Sequence, residues 1–161
     1  MKATTEMSYK ININTAKVLV IDDEPEITEI VETFLTESGY QVAVENSSAN
    51  ACETAKKIKP DVILLDIMMP GTDGYDVCQQ LKQDSDFVDT PIIFLTGKDR
   101  ADDQGRSFKS GGDMFIKKPF SCERLLEIVN IVLMSAGKHS AAPSGRINRF
   151  LLTIMVRRTI L

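Results

Sequence analysis

Histidine is almost absent: His139 is the single one in 161 residues, and it stands in a Gly/Ser/Ala/Pro stretch where it reads as solvent-exposed filler. Cysteine is scarce. Cys52, Cys78 and Cys122 are odd in number, far apart and without a C-x-x-C pair. They read as reduced, buried thiols rather than as a disulfide or zinc site. No apolar run approaches the ~20 residues that span a bilayer. The first residues, "MKATTEMSYKININTAK", contain no apolar core of a secretory signal. A cytoplasmic protein is therefore expected, with one domain plus something small. The hydrophobic content of 43% and charged content of 26% are those of an ordinary globular chain.

Positive charge is missing where it would matter for nucleic acid. Residues 17–136 carry 12 basic and 22 acidic side chains, net −10, while residues 1–16 are net +1 and residues 137–161 net +5. The central block is too acidic to attract a phosphate backbone, so no direct nucleic-acid binding is expected of it.

What is present is an alternation. "KVLVID" (residues 17–22), "YQVAVE" (40–45), "DVILLD" (61–66), "PIIFLT" (91–96) and "DMFIKK" (113–118) are short apolar runs that read as strands. Between them lie helical patterns. In "PEITEIVETFLTESG", Ile27, Ile30, Val31, Phe34 and Leu35 form the stripe of an amphipathic helix, with Pro25 suited to its first turn and Gly39 to its C-terminal cap. "SSANACETAKKIK" predicts a helix capped by Ser47 or Ser48. "TDGYDVCQQLKQD" turns Val77, Cys78 and Leu81 inward. Residues 99–110 predict a weaker helix interrupted by Gly105. "SCERLLEIVNIVLMSAG" predicts a final helix capped by Ser121 and striped by Leu125, Leu126, Val129, Val132 and Leu133. Five βα units argue an α/β fold, a doubly wound parallel sheet with helices on both faces.

In open sheets of this kind ligands sit at the carboxyl ends of the strands. Strand two ends in Glu45-Asn46, and the other ends carry Asp22-Asp23, Asp66, Thr96 and Lys118. Each alone has an ordinary explanation: a helix cap, an Asx turn, a common strand residue, a solvated lysine. Together they make a half-built site. Three close carboxylates invite a cation, and oxygen-only donors suit a hard one such as Mg²⁺. A carboxylate can also act as a nucleophile toward phosphorus, and such transfer depends on positioning and charge neutralisation.

The stretches "VLVIDDEPEI", "DVILLDIMMPGTDGYDV", "PIIFLTG" and "DMFIKKPF" resemble the receiver domain of bacterial two-component response regulators over residues 17–136. The resemblance implies a flavodoxin-like sheet of order 2-1-3-4-5. It implies that Asp66 is the phosphoacceptor and that Asp22, Asp23, Asp66 and the backbone carbonyl of Met68 hold Mg²⁺ or Mn²⁺. Thr96 and Phe115 would be the switch pair, Lys118 would pair with Asp66 and then with its phosphoryl group, and Lys118-Pro119 would be cis. Phe115 lacks the hydroxyl of the commoner tyrosine, and Met68 offers no polar side chain to orient an attacking water.

Moving a balance from 1:99 to 99:1 takes about 5.5 kcal/mol of differential interaction, and one charge-assisted hydrogen bond supplies about 1.5–3 kcal/mol. Thr96 alone cannot throw the switch; Lys118 and the metal must contribute. The resemblance implies that the change reaches the face made by the fourth predicted helix, strand five and the final helix, where a partner or a second copy would bind. The lone His139 leaves no internal donor, so a sensor histidine kinase, a histidine phosphotransfer protein or a small phosphodonor is expected to supply the phosphoryl group.

A phosphohydrolase of the haloacid-dehalogenase type is the rival reading, but it needs an acid two residues after the nucleophile, where this chain has Met68. A flavin or redox module would need a phosphate-binding loop or a cysteine pair. The expected organisation is a tail over 1–16, the receiver over 17–136, a linker over 137–146 ("GKHSAAPSGR") and a basic-apolar segment over 147–161 ("INRFLLTIMVRRTIL"). For that last segment three readings stand: packing on the receiver or a second subunit, contact with a membrane surface, or the start of a longer output region or a non-native extension.

Overall fold

The β-branched runs become strands and the periodic ones helices. A computed structural model describes residues 16–97 and 109–137. The strands are β1 (Lys17–Ile21), β2 (Gln41–Glu45), β3 (Val62–Asp66), β4 (Ile92–Thr96) and β5 (Met114–Lys117). They form one parallel sheet in the order β2-β1-β3-β4-β5. The helices are α1 (Pro25–Glu37), α2 (Ala51–Ile58), α3 (Gly74–Gln83) and α4 (Cys122–Ser135), with a short 3₁₀ turn over Ser48–Asn50 before α2. The helix expected over 99–110 falls outside the described residues except for its last two.

Alternate residues of each strand face opposite layers. Val18, Val20, Val62, Leu64, Ile93 and Leu95 pack with Val31 and Leu35 of α1 and Leu125, Val129 and Leu133 of α4. Leu19, Ile21, Ile63, Leu65, Ile92 and Phe94 pack with Ala51 and Ala55 of α2 and Tyr75, Val77, Cys78 and Leu81 of α3. β3 and β4 are buried along their whole length, as strands covered on both faces must be.

The helix ends follow their chemistry in most places. Pro25 opens α1, and Gly39, at φ +96°, turns the chain into β2. Asp73 Oδ1 accepts from Tyr75 N at 2.8 Å and Ser121 Oγ from Arg124 N at 3.2 Å, capping α3 and α4.

Three expectations fail locally. Ile30, placed on the inward stripe of α1, is 56% exposed, because buried Thr28 takes part of the inward face. In α4 the fully inward set includes Ile128, while Leu126 is only partly covered. Neither Ser47 nor Ser48 caps the second helix. Ser48 Oγ instead donates to the Pro70 carbonyl at 3.1 Å and accepts from Thr72 N at 3.3 Å, tying the 3₁₀ turn to the loop after β3.

Candidate functional site

Register brings the acids together. Ile21 pairs with Leu65 across β1 and β3, so the next residues, Asp22 and Asp66, reach the sheet edge side by side. Asp66 in turn lies beside Leu95, one residue before Thr96. Asp22 is fully buried, Asp66 is 3% exposed and Thr96 is 8% exposed. Carboxylate oxygens of Asp22, Asp23 and Asp66 all lie within 4.8 Å of one another.

Lys118, one residue past β5, reaches back over this edge. Its Nζ lies 2.7 Å from Asp22 Oδ2, 3.0 Å from Glu24 Oε1 and 3.2 Å from Asp66 Oδ1. The backbone places it there: Lys118 N donates to the Thr96 carbonyl at 2.6 Å, and the Lys118-Pro119 bond is cis as expected. The anticipated pair with Asp66 exists, but the shortest contact is to Asp22.

Burial pushes the Asp66 carboxyl up to about 6, and the negative charge of Asp22 adds to that; Lys118 works in the opposite direction, and Asp23 adds a smaller upward push. Burial alone would lower the ammonium of Lys118, yet Asp22, Asp66 and Glu24 outweigh it and hold the ammonium above the usual lysine range. Three carboxylates thus share one ammonium, and a fourth, Asp23, stands beside them. Such an excess of negative charge, offered by oxygen donors alone, fits a hard divalent cation.

Not every expected residue joins this cluster. Met68 turns its side chain outward, 53% exposed, so only its backbone remains available to the site. Phe115 lies on β5 opposite Phe94, three residues before Lys118, and is 37% exposed at the surface. The thiols take no part. All three cysteines are free, and burial pushes Cys78 up to about 11.

Sequence reasoning missed three residues. Glu24 shares Lys118; its only signal was its place directly after the Asp22-Asp23 pair. Asn46 binds the Asp22 carbonyl at 2.7 Å. Gly74 opens α3 against the end of β3: a Cβ there would sit 2.2 Å from the Asp66 carbonyl oxygen and 2.8 Å from Ile67 Cα. The Asp73-Gly74 pair had signalled only a turn.

A family model described as the response regulator receiver domain matches residues 18–130. The chain belongs to that family. Among solved structures, the chemotaxis response regulator CheY4 of Vibrio cholerae is 31% identical with a TM-score of 0.72, over 74% of this chain and 99% of that one. Among curated proteins, the DNA-binding dual master transcriptional regulator RpaA of Synechocystis is 33% identical over 88% of this chain and 60% of its own length. The phosphate regulon transcriptional regulatory protein PhoB of Pseudomonas aeruginosa is 38% identical over 74% of this chain and 52% of its own. The chain spans about half the length of the curated relatives it matches.

These relatives correct one expectation. No nucleic-acid partner was anticipated, yet RpaA is named as DNA-binding and PhoB as a transcriptional regulator. The acidity belongs to residues 17–136 alone, and a receiver's own charge says nothing about what the rest of such a regulator touches. Among the described residues no helix is long and apolar enough to cross a membrane. The segment 147–161, for which membrane contact was one reading, lies outside the described residues.

The chain is thus a receiver of two-component signalling, a switch module whose acid cluster suits phosphoryl acceptance.

Proposed function

We propose that this receiver takes a phosphoryl group on Asp66 and that Thr96, Phe115 and Lys118 convert the event into a change of surface. The observation that carries the reading is one buried carboxylate, Asp66, at a strand end, facing an ammonium and flanked by two further carboxylates. A carboxylate oxygen of Asp66 attacks phosphorus; the O–P bond forms as the bond to the donor's leaving group breaks, and the bonding pair departs with that group. Asp22, Asp23, Asp66 and the Met68 carbonyl would hold Mg²⁺ or Mn²⁺, which supplies neutralisation of the phosphoryl oxygens.

The protein's own groups do the rest. Lys118 exchanges part of its contact with Asp22 and Asp66 for the incoming oxygens. The Thr96 hydroxyl, at the end of β4, donates to one of them, and Phe115 turns in behind it. Met68 gives dephosphorylation no side-chain assistance, so hydrolysis relies on water held by the remaining groups. In this reading the chain is organised as a receiver over 17–136, a tail over 1–16, a linker over 137–146 and a basic-apolar segment over 147–161; the match of the receiver family model to residues 18–130 supports the first of these. The intended setting is cytoplasmic and the output, by analogy with RpaA and PhoB, is control of transcription.

Asp66→Asn tests the reading. With an acyl phosphate donor and Mg²⁺, the wild-type chain takes up label and the variant takes up none. Label on the variant at the wild-type level would remove Asp66 as the acceptor.

A further inference from the structure

Asn46 follows β2 and is exposed to solvent, yet its amide nitrogen points into the fold. Nδ2 donates to the Asp22 carbonyl at 2.7 Å and to the Thr28 hydroxyl at 3.1 Å. Both acceptor residues are buried, Asp22 fully and Thr28 to 3% exposure. The Thr28 hydroxyl itself donates to the Pro25 carbonyl at 3.0 Å. One amide therefore ties the end of β1 to the first turn of α1.

The turn that carries Asn46 is itself fixed. The Glu45 carboxylate accepts from Ser47 N at 2.9 Å and from the Thr54 hydroxyl at 2.6 Å, and Asp22 N donates to the Glu45 carbonyl at 3.1 Å. Asn46 is thus a rigidly mounted donor aimed at the chain segment that bears Asp22 and Asp23.

That segment is under electrostatic load. Three like-charged carboxylates within 4.8 Å push one another apart. Asp22 and Asp23 sit on a turn, and a turn yields more readily than a strand buried on both faces. Asp66 cannot retreat, because it ends β3 with α3 packed behind it at Gly74. Relief must come from the β1–α1 turn; Lys118 opposes it at the carboxylates of Asp22 and Asp66, and the Asn46 bonds oppose it at the backbone.

We propose that Asn46, seated on Thr28, is a positioning residue that holds the Asp22-Asp23 turn against this repulsion and so keeps the three carboxylates preassembled for a divalent cation. Without it the turn relaxes, and a cation must spend binding energy to reassemble the site. The proposal rests on the reading of Asp22, Asp23 and Asp66 as a cation site.

The test is Mg²⁺ titration of the full chain by calorimetry, with phosphoryl uptake at saturating Mg²⁺ as a second readout. Asn46→Ala removes two hydrogen bonds from an exposed residue and creates no core cavity. Mg²⁺ affinity is expected to fall about three- to tenfold, while uptake at saturating Mg²⁺ stays within about twofold of wild type. Thr28→Val keeps the Asp22 bond but removes the seat of Asn46, and is expected to weaken Mg²⁺ about twofold. The double variant should bind no more weakly than Asn46→Ala alone, since Thr28 acts through Asn46.

Unchanged affinity in Asn46→Ala overturns the proposal. So does a loss of uptake that saturating Mg²⁺ fails to restore, which would mark a merely structural role. If Asn46→Ala does not fold, Thr28→Val decides: weaker Mg²⁺ supports the proposal and wild-type affinity overturns it. A wild-type chain that binds no Mg²⁺ would instead remove the cation site itself, a failure of the underlying reading.

Discussion

Two lysines of nearly equal burial stand at opposite edges of the sheet. Lys118, at the carboxyl edge, has a side chain 15% exposed; Lys82, at the amino edge, has one 16% exposed. Lys82 donates to two backbone carbonyls, Thr90 at 2.6 Å and Val88 at 3.1 Å, and meets one carboxylate, Asp113, at 3.6 Å. Asp113 also accepts from Ile92 N at 2.9 Å, so this edge is a balanced clasp between α3, the chain entering β4 and the chain entering β5. Among the described residues Lys118 touches no carbonyl through its ammonium, and its three partners there are all carboxylates. Burial and ion pairing do not distinguish a working site from a structural one here. Unbalanced charge does: one edge is neutralised and finished, the other is left acidic and open to a ligand.

The largest expected effect comes from removing the ammonium at the acidic edge. In Lys118→Met, buried Asp22 and Asp66 lose their counter-charge, and breaking such a pair typically costs about 3–5 kcal/mol. Urea denaturation at pH 7.5 should show that loss. Millimolar Mg²⁺ should then return more stability to this variant than it adds to wild type, because the cation becomes the only counter-charge. A variant as stable as wild type in the absence of divalent ions would mean the edge is not short of positive charge.

Gly74→Ala comes next. Its Cβ would meet the Asp66 carbonyl at 2.2 Å, a distance that forces α3 or the end of β3 to move. Overpacking of this kind costs about 3 kcal/mol. Because the strained atom belongs to Asp66, phosphoryl uptake should fall together with the urea midpoint. Uptake preserved at full stability would show that the α3 contact does not set the position of Asp66.

The contrast between edges also says which parts were readable in advance. Strand-end residues were legible because parallel register is rigid: once "VLVID" and "VILLD" are strands of one parallel sheet, Asp22 and Asp66 must emerge together. Lys118 was legible for the same reason, as the last residue of "DMFIKK". Glu24 was not, because its carboxylate reaches Lys118 through a turn whose backbone, φ −92° and ψ 100° at that residue, is set by the tertiary structure. Gly74 was hidden because a close backbone approach leaves no periodicity. Ile30 misled because Thr28, polar but satisfied by Pro25 and Asn46, could be buried where an apolar residue was expected. Ser48 misled because a serine before a helix looks the same whether it caps that helix or clasps a neighbouring loop.

Protons offer a smaller perturbation of the acidic edge. Asp66 stands at about 6 against an ordinary 3.8. A carboxyl raised on folding favours the folded state while protonated. That contribution is fully present below pH 3.8 and is lost as pH rises through about 6. Asp66→Asn cannot lose it. Without divalent cations the variant should therefore match wild type near pH 4 and exceed its stability by about 2 kcal/mol at pH 7.5. Chemical denaturation across that range reads the difference directly. A stability gap that does not change with pH would show that Asp66 ionises like an exposed carboxylate.

The smallest effect belongs to the balanced edge, and it completes the comparison. Lys82→Met should cost about 1–2 kcal/mol, the value of hydrogen bonds to two carbonyls that water can partly replace. It leaves one carboxylate, Asp113, which keeps its bond from Ile92 N and stands 46% exposed. No charge accumulates, so Mg²⁺ should restore nothing to this variant, and phosphoryl uptake should remain at the wild-type rate. Measuring both lysine variants side by side, with and without Mg²⁺, separates the two edges in one experiment. Equal recovery of Lys82→Met and Lys118→Met by the cation would mean that charge balance is not what divides them, since a cation can rescue an edge only where carboxylates outnumber the groups that answer them.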